Sequence, residues 1–174
     1  MTTQATFLSK RVDVGNTTVN LAIWDTAGQE RYHSLSPIYY RNADGALLVF
    51  DITDLDSFEK AKKWVKELRQ FVGTIPIVIA GNKKDLVKIR AVETDMAKSY
   101  AESVGAVYVE TSAKSGDNVN LAFTSLAQKM LDASTGPSPS NPSESQPSTT
   151  AGRPRNVITI AYDEPQPTSS GCSC

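Results

Sequence analysis

The chain of 174 residues has a net charge of −1, with 40% hydrophobic and 21% charged residues, and its composition changes near residue 134. Seven of the nine prolines and both cysteines follow Ser134, whereas 16 of the 18 basic and 16 of the 19 acidic residues precede it. The neutral, cysteine-free first part excludes a nucleic-acid binder on charge grounds and a disulfide scaffold, and it is typical of a cytosolic chain. We predict one globular domain over residues 1–133 and a tail over 134–174.

The apolar residues of the first part alternate between short runs and amphipathic stretches, as in an α/β domain with a mostly parallel sheet. Phe7–Val14 and Val19–Trp24 flank the turn pair Gly15-Asn16 and predict a β-hairpin. Later runs are short, rich in Val, Ile and Leu, and bounded by turn or polar residues. They predict strands at Ala46–Phe50, Ile75–Ala80 and Val107–Val109.

Three other stretches place apolar residues at three- and four-residue steps, which predicts amphipathic helices. Gly105 follows the second stretch as a helix stop. We interpret the apolar stripes as core faces rather than cofactor contacts. The stripes are Phe58, Ala61, Trp64, Val65, Leu68 and Val72; Met96, Ala97, Tyr100, Ala101 and Val104; and Val119, Ala122, Phe123, Leu126, Ala127 and Met130.

The tail differs from the domain in composition. Thr135–Gly152 is rich in Ser, Thr and Pro and has almost no large apolar side chains, so burial cannot offset the entropy of ordering it. We therefore predict a disordered tail over 134–174. Val157, Ile158 and Ile160 form a small apolar island within it.

A carboxylate directly follows the second predicted strand. The stretch from Asp25 to Glu30 begins where that strand ends, which is the edge at which open α/β sheets bind ligands. A hard carboxylate there suits Mg²⁺, the Gly28 N–H can approach a phosphate, and the Gln29 amide can orient a water. Taken alone, however, Asp-x-x-Gly is better explained as a solvated turn.

Two polar loops follow later strands in the same way. Asn82-Lys83-Lys84-Asp85 comes after the Ile75 run, and Thr111-Ser112-Ala113-Lys114 comes after the Val107 run. A carboxylate can accept two N–H groups from the edge of guanine, a pair of donors that adenine lacks. Either loop alone is also compatible with an ordinary polar connection. Because all three motifs follow strand ends, we expect them to meet at one rim of the sheet.

In this order and after these strands, DTAGQE, NKKD and TSAK resemble the second half of a Ras-type small GTPase. Ile23–Glu30, Tyr39–Ala43 and Leu48–Thr53 are similar to signatures of the Rab branch, and RYHSLSPIYYR and AKKWVKELR resemble its early-endosomal members. The resemblance covers residues 2–133. It implies a three-layer Ras-like α/β domain with a mostly parallel sheet and one antiparallel edge strand. It also implies a GTPase that binds GTP or GDP with Mg²⁺ and acts as a switch in endosomal vesicle trafficking.

The resemblance assigns roles to individual residues. Asp25 would hold Mg²⁺ through water, Thr2 would coordinate it, and the Gly28 N–H would sense the γ-phosphate. Gln29 would orient the attacking water. Asn82 and Asp85 would bind guanine. The other implied contacts are Lys83, Ser112, Ala113 and Lys114 with the base, and Phe7, Trp24 and Tyr39 with effectors. Phe7 and Trp24 could instead be simple core or sheet residues.

The chain ends in Gly171-Cys172-Ser173-Cys174, which resembles the Cys-x-Cys terminus on which Rab proteins carry two geranylgeranyl groups. Two lipid chains anchor a protein stably where one binds only marginally. A metal site or a local disulfide is less favoured, because two cysteines are too few to hold a metal and a disulfide across this spacing is strained. The resemblance implies a monomer on the cytoplasmic face of endosomal membranes that cycles with the cytosol. Its partners would be an exchange factor, a GTPase-activating protein, effectors and a prenylation escort.

One part of such a GTPase is missing from the sequence. The phosphate-binding pattern Gly-x-x-x-x-Gly-Lys-Ser/Thr does not occur in the 174 residues. We expect the first strand, this loop and the first helix to be lacking, which would leave the sheet without a central strand. Two hypotheses follow. Either the sequence lacks the amino terminus of a Rab GTPase, or it is a short product that binds no nucleotide and acts as an effector- or escort-binding module.

Overall fold

A computed structural model describes residues 6–27, 42–135 and 155–161, and all of its strands lie in one sheet. The strands are β1 Thr6–Val14, β2 Thr17–Ala27, β3 Gly45–Asp51, β4 Ile77–Asn82, β5 Val107–Glu110 and β6 Arg155–Ala161. Their order across the sheet is β1-β2-β6-β3-β4-β5. The β1–β2 pair is antiparallel and the other four neighbouring pairs are parallel.

The described helices are α1 Leu55–Phe71, a 3₁₀ helix at Lys84–Ile89, α2 Thr94–Ser103 and α3 Val119–Thr135. The Asp54 carboxylate caps the start of α1 by accepting a hydrogen bond from the Asp56 N–H at 2.9 Å. Gly105 follows α2 with a φ of 67°, a left-handed conformation that ends the helix as predicted. No helix in the described part of the chain is both long and apolar enough to cross a membrane.

The helices cover both faces of the sheet, which confirms the predicted three-layer α/β fold. One apolar cluster joins α1 and α2 to β3 and β4, and the other joins α3 to strands from β1 through β6. With both faces covered, β3 and β4 are apolar along nearly their whole length, as is usual for parallel sheets. Fully buried side chains include Phe50, Phe58, Leu68 and Ile79 in the first cluster, and Leu21, Val78, Leu126 and Val157 in the second.

β1 and β2 form the predicted hairpin at the edge of the sheet. Phe7 lies opposite Trp24 and Val14 lies opposite Thr17. The turn between the strands contains Gly15, whose φ of 57° lies in the left-handed region that glycine adopts without steric cost. The single antiparallel edge strand that the resemblance implied is therefore confirmed.

The centre of the sheet differs from the sequence-based expectation. The sheet was expected to lack a central strand, yet Arg155–Ala161 of the tail forms β6 between β2 and β3. β6 corresponds to the apolar island noted in the sequence, and Val157 is fully buried there. Composition alone could not reveal this strand, because seven residues gain enough burial and backbone hydrogen bonds only when a distant pair of strands flanks them.

Candidate functional site

The polar loops after β4 and β5 meet at the carboxyl edge of the sheet, as the sequence predicted. The Asn82 side-chain oxygen accepts a hydrogen bond from the Ala113 N–H at 2.9 Å. The Lys84 N–H donates to the Thr111 carbonyl at 3.0 Å, and the Thr111 N–H donates to the Gly81 carbonyl at 2.8 Å. These bonds join the two loops into one unit and set the orientation of the Asn82 amide.

Asp85 and Ser112 form a second link between the same loops. The Ser112 hydroxyl donates to Asp85 Oδ1 at 2.6 Å. Ser112 is buried, with 1% of its surface exposed, whereas Asp85 is exposed. The buried hydroxyl accepts in turn from the Ser115 N–H at 3.2 Å. The loop behind Asp85 thus holds the carboxylate in place while the side chain itself faces solvent.

Lys83 and Lys114 lie in the same two loops but make different contacts. Lys83 adopts a left-handed backbone conformation with a φ of 64°. Its ammonium pairs with Asp51 at the end of β3, with Nζ 2.6 Å from Oδ2. Burial raises the pKa of Asp51, but hydrogen bonds from Lys83 and from the Thr53 N–H and hydroxyl outweigh it, so the pKa falls below its ordinary value. The Lys114 side chain is exposed.

Asp25 lies near the end of β2, where it pairs with Thr159 of β6. Partial burial raises the pKa of this carboxyl above its ordinary value. A carboxylate at the carboxyl end of a strand is a ligand type that suits Mg²⁺ held through water, and a nearby divalent cation would favour its charged form. In the described ranges, no group of three or more His, Cys, Asp and Glu side chains is placed to hold a metal ion.

A hydrogen-bonded cluster that the sequence patterns did not predict lies next to both loops. It consists of Arg90, Thr94, Tyr108 and Glu110. Arg90, just after the 3₁₀ helix, makes two hydrogen bonds to Glu110, at 2.8 and 3.0 Å. Glu110 Oε1 also accepts from Thr94 at 2.8 Å and from the Tyr108 hydroxyl at 3.0 Å. Burial raises the pKa of Glu110, but these donors outweigh it and lower the pKa below the ordinary value. Burial and the Glu110 charge raise the pKa of Tyr108.

The position of Arg90 and Glu110 explains what the cluster does. Glu110 is the last residue of β5 and directly precedes Thr111, while Arg90 follows the helix that carries Asp85. The ion pair therefore ties the base of one polar loop to the base of the other. Its signal in the sequence was the placement of opposite charges next to both motifs, although the partners are 20 residues apart in the chain.

The aromatic pair predicted to meet effectors lies on the hairpin, with Phe7 near the start of β1 and Trp24 near the end of β2. The rings of Phe7 and Trp24 are 5.1 Å apart between centroids and tilted by 59°. Phe7 is 56% exposed, and Trp24 is half-buried. For Phe7, this exposure argues against the alternative of a simple core residue.

Several predicted site residues lie outside the described ranges. They are Thr2, Gly28, Gln29, Tyr39, Cys172 and Cys174.

Comparison with known proteins identifies the family of this chain. A family model described as the Ras family matches residues 1–132. The chain belongs to the Ras family, in its Rab branch. It is 49% identical to "Ras-related protein Rab-21" of Mus musculus over 174 residues, which cover 99% of this chain and 77% of the mouse protein.

Other relatives place the chain in the same branch. The chain is 50% identical to "Ras-related protein Rab-21" of Homo sapiens over 175 residues, which cover 99% of this chain and 76% of the human protein. It is 54% identical to "Ras-related protein Rab-5A" of Dictyostelium discoideum over 127 residues, which cover 72% of this chain and 63% of the relative. The sequence-based assignment to Rab small GTPases is confirmed.

Proposed function

We propose that this Rab-family chain binds GTP and GDP and belongs to a GTPase that hydrolyses GTP as a switch in endosomal vesicle trafficking. The observation that carries this proposal is the joined pair of loops in which Ser112 holds Asp85 and Asn82 holds Ala113. These are the side chains that the family resemblance assigns to guanine. Two independent loops from neighbouring parallel strands present them at one edge, the place where α/β sheets bind nucleotides.

Base recognition follows from the chemistry of Asp85. An ionised carboxylate can accept two N–H donors from the guanine edge, and such charge-assisted bonds are stronger and more selective than neutral ones. Because the Ser112 hydroxyl donates a hydrogen bond to Oδ1, the carboxylate is oriented before a ligand binds. Adenine presents no matching pair of donors, so the site discriminates against it. The stems of Lys83 and Lys114 and the Ala113 backbone complete the contacts that we propose for the base.

The phosphate end of the ligand involves other residues. We propose that Asp25 holds the water shell of Mg²⁺, together with Thr2, and that Gly28 approaches the γ-phosphate. When bound, the ion would supply positive charge to the phosphate oxygens. Gln29 would orient the attacking water. The position of Asp25 near the carboxyl end of β2 supports this role, because open α/β sheets bind ligands at that edge.

At the membrane, we propose that Cys172 and Cys174 carry two lipid groups that place the protein on the cytoplasmic face of endosomal membranes, between periods in the cytosol. An exchange factor, a GTPase-activating protein and a prenylation escort would act on it. Effectors would meet Phe7, Trp24 and Tyr39. The exposure of Phe7 beside Trp24 supports this surface, because a large exposed aromatic pair suits protein recognition.

Replacing Asp85 with Asn tests the base site. The carboxylate acceptor is lost while the size of the side chain is kept, so we expect GDP affinity to fall about tenfold to a hundredfold, as for other hydrogen bonds to charged groups. Affinity is measured by isothermal titration of the 174-residue chain with GDP and with ADP. Asp95→Asn, an exposed residue in the first turn of α2, is the matched control and should leave both affinities unchanged. Equal weakening by both substitutions would contradict the assignment.

A second candidate is a module that binds effectors or an escort without nucleotide. The exposure of Phe7 beside Trp24 favours this candidate, because an exposed aromatic pair can bind a partner without nucleotide. Titration of wild-type chain separates the two candidates: guanine-selective binding supports the first, and no detectable GDP binding supports the second.

A further inference from the structure

Lys83 is held at both ends of its side chain. At the backbone, the residue has a left-handed conformation with a φ of 64°, and its carbonyl accepts a hydrogen bond from the Leu86 N–H at 2.8 Å. At the other end, the ammonium Nζ lies 2.6 Å from Asp51 Oδ2. A lysine keeps a left-handed conformation only where its surroundings determine it. The methylene stem between these two ends therefore has little freedom.

The Asp51 carboxylate is itself fixed from the side of β3. Oδ1 accepts hydrogen bonds from the Thr53 N–H at 2.8 Å and from the Thr53 hydroxyl at 2.7 Å, while Oδ2 faces the ammonium. The Asp51 N–H donates at 2.9 Å to the hydroxyl of Ser57, which is fully buried. The Asp51 side chain is 13% exposed, so water and salt screen its charge less than that of a surface carboxylate. Asp51 is thus a firm anchor for Lys83.

The stem of Lys83 lies along the carboxyl edge of the sheet, beside Asn82. Asp51 and Asn82 are opposite each other in the parallel pairing of β3 and β4, and Lys83 directly follows Asn82. Neighbouring strands are about 4.8 Å apart, a gap that a lysine side chain spans. The Lys83 side chain is 51% exposed even though its ammonium is paired. Because the ammonium faces Asp51, much of this exposed area is methylene surface next to the Asn82 amide.

The neighbouring Lys84 is held less firmly. Its ammonium Nζ lies 2.7 Å from Asp117 Oδ2, so the two ion pairs are almost equal in length. The Asp117 side chain is 45% exposed, however, against 13% for Asp51. Exposed ion pairs of this kind contribute little, because solvent screens them and both side chains lose entropy. The adjacent lysines therefore offer a comparison between a firm and a weak anchor in one loop.

We propose that Asp51 is a positioning residue of the base site, which holds the Lys83 stem along the sheet edge so that one face of a planar purine packs on it. This role rests on the proposed nucleotide site and adds to it a residue that the sequence patterns did not assign. A flexible lysine loses side-chain entropy when a ligand orders it, whereas a stem that is already ordered does not lose it again. Asp51 thereby raises the affinity for the base without touching it.

Titration of the 174-residue chain with GDP, followed by nuclear magnetic resonance, tests this role. Asp51→Asn keeps the size of the side chain and removes the charge that holds the ammonium. We expect GDP affinity to fall about threefold to tenfold, as when one flexible side chain must be ordered on binding. Asp117→Asn, which breaks the exposed pair with Lys84, is the matched control and should leave the affinity unchanged.

A second background separates positioning from a general effect on the fold. Lys83→Met keeps an unbranched stem and removes the ammonium through which Asp51 acts. In the chain that carries Lys83→Met, the Asp51→Asn substitution should change GDP affinity by less than about twofold, because the two residues share one interaction. A general loss of stability would instead lower the affinity by the same factor in both backgrounds.

The same spectra give a signature that does not depend on affinity. A base that packs on the stem should shift the Lys83 methylene proton signals upfield through its ring current. Extrapolated to saturation with GDP, this shift should be smaller in Asp51→Asn than in wild type, because the stem no longer stays under the base.

The outcomes distinguish the role of Asp51 from the nucleotide site as a whole. If Asp85→Asn weakens GDP binding and Asp51→Asn does not, the role is wrong and the proposed function stands. The role is also wrong if Asp51→Asn has the same effect in both backgrounds, if Asp117→Asn weakens binding as much, or if the Lys83 signals of wild type do not shift. If wild-type chain binds no GDP, neither the role nor the proposed nucleotide binding holds.

Discussion

At the level of single residues, the site depends on side chains that support the ones expected to touch a ligand. Ser112 is buried and orients Asp85 through a 2.6 Å hydrogen bond. Glu110, two residues before Ser112, accepts hydrogen bonds from Arg90, Thr94 and Tyr108. Its side chain is 17% exposed and that of Arg90 is 13% exposed, so water screens this ion pair less than one at the surface.

The Glu110 cluster makes stability depend on pH in a defined direction. The folded state lowers the pKa of Glu110 below its ordinary value of 4.5, so the stabilisation is complete above that value and is lost as the pH falls through the folded pKa. We expect Glu110→Gln to lower the free energy of unfolding by about 2 kcal/mol at pH 7, since a partly buried Arg90 loses its counter-charge. The difference between variant and wild type should shrink below pH 4.5.

Urea unfolding at several pH values measures this dependence. Glu102→Gln, on the exposed surface of α2, is the control and should show little effect at any pH. A Glu110→Gln effect that stays constant down to strongly acidic pH would show that the stabilisation does not come from the ionised carboxylate.

At the level of elements, the sequence predicted those helices and turns whose formation depends on residues close together in the chain. The stripe from Phe58 to Val72 predicted α1 because its period alone identifies the buried face, and Gly15-Asn16 predicted the hairpin turn. The 3₁₀ helix at Lys84–Ile89 had no such pattern, since none of its residues is buried. β6 was visible only as the apolar residues Val157, Ile158 and Ile160. Its identity as a strand depends on β2 and β3, which are distant in sequence.

The end of β4 is closely packed at Gly81, the residue that precedes Asn82. A Cβ added at Gly81 would lie 2.6 Å from the Tyr108 hydroxyl and 3.2 Å from Phe50 Cζ. We expect Gly81→Ala to lower the free energy of unfolding by about 1–3 kcal/mol through overpacking. Thermal or urea unfolding measures the loss.

The Tyr108→Phe substitution removes the closest contact and provides the matched test. In the chain that carries Tyr108→Phe, the cost of Gly81→Ala should be smaller than in wild type, because the two substitutions share one steric conflict. Equal costs in both backgrounds would show that the Tyr108 hydroxyl does not limit the space at Gly81.

At the level of the whole molecule, the parallel sheet explains how far the site could be predicted. Asn82, Asp85, Ser112 and Ala113 were expected to converge because parallel strands bring their carboxyl ends to one edge, and the structure joins them. The pairing of Lys83 with Asp51 was not predicted, because the two residues are distant in the chain and meet only where β3 and β4 pair in parallel. The roles of Thr2, Gly28, Gln29 and Tyr39 stay predictions.

The proposed membrane location depends on the two cysteines at the end of the sequence, which would carry the lipid groups. Changing Cys172 and Cys174 together to Ser removes both lipid sites, and we expect the protein to move from the membrane pellet to the soluble fraction in cells. Ser173→Ala, between the two cysteines, is the control and should keep the wild-type distribution. Membrane association that persists in the double variant would contradict the lipid anchor.

The central claim is that the joined loops after β4 and β5 read guanine, and nuclear magnetic resonance tests it most directly. The 174-residue chain contains no phosphate-binding pattern, so we expect weak binding dominated by the base. Addition of GDP should shift the amide signals of Asp85, Ser112 and Ala113 in a saturable way, whereas ADP at the same concentrations should not. Equal shifts with both nucleotides, or no shift at these amides with GDP, would contradict the claim.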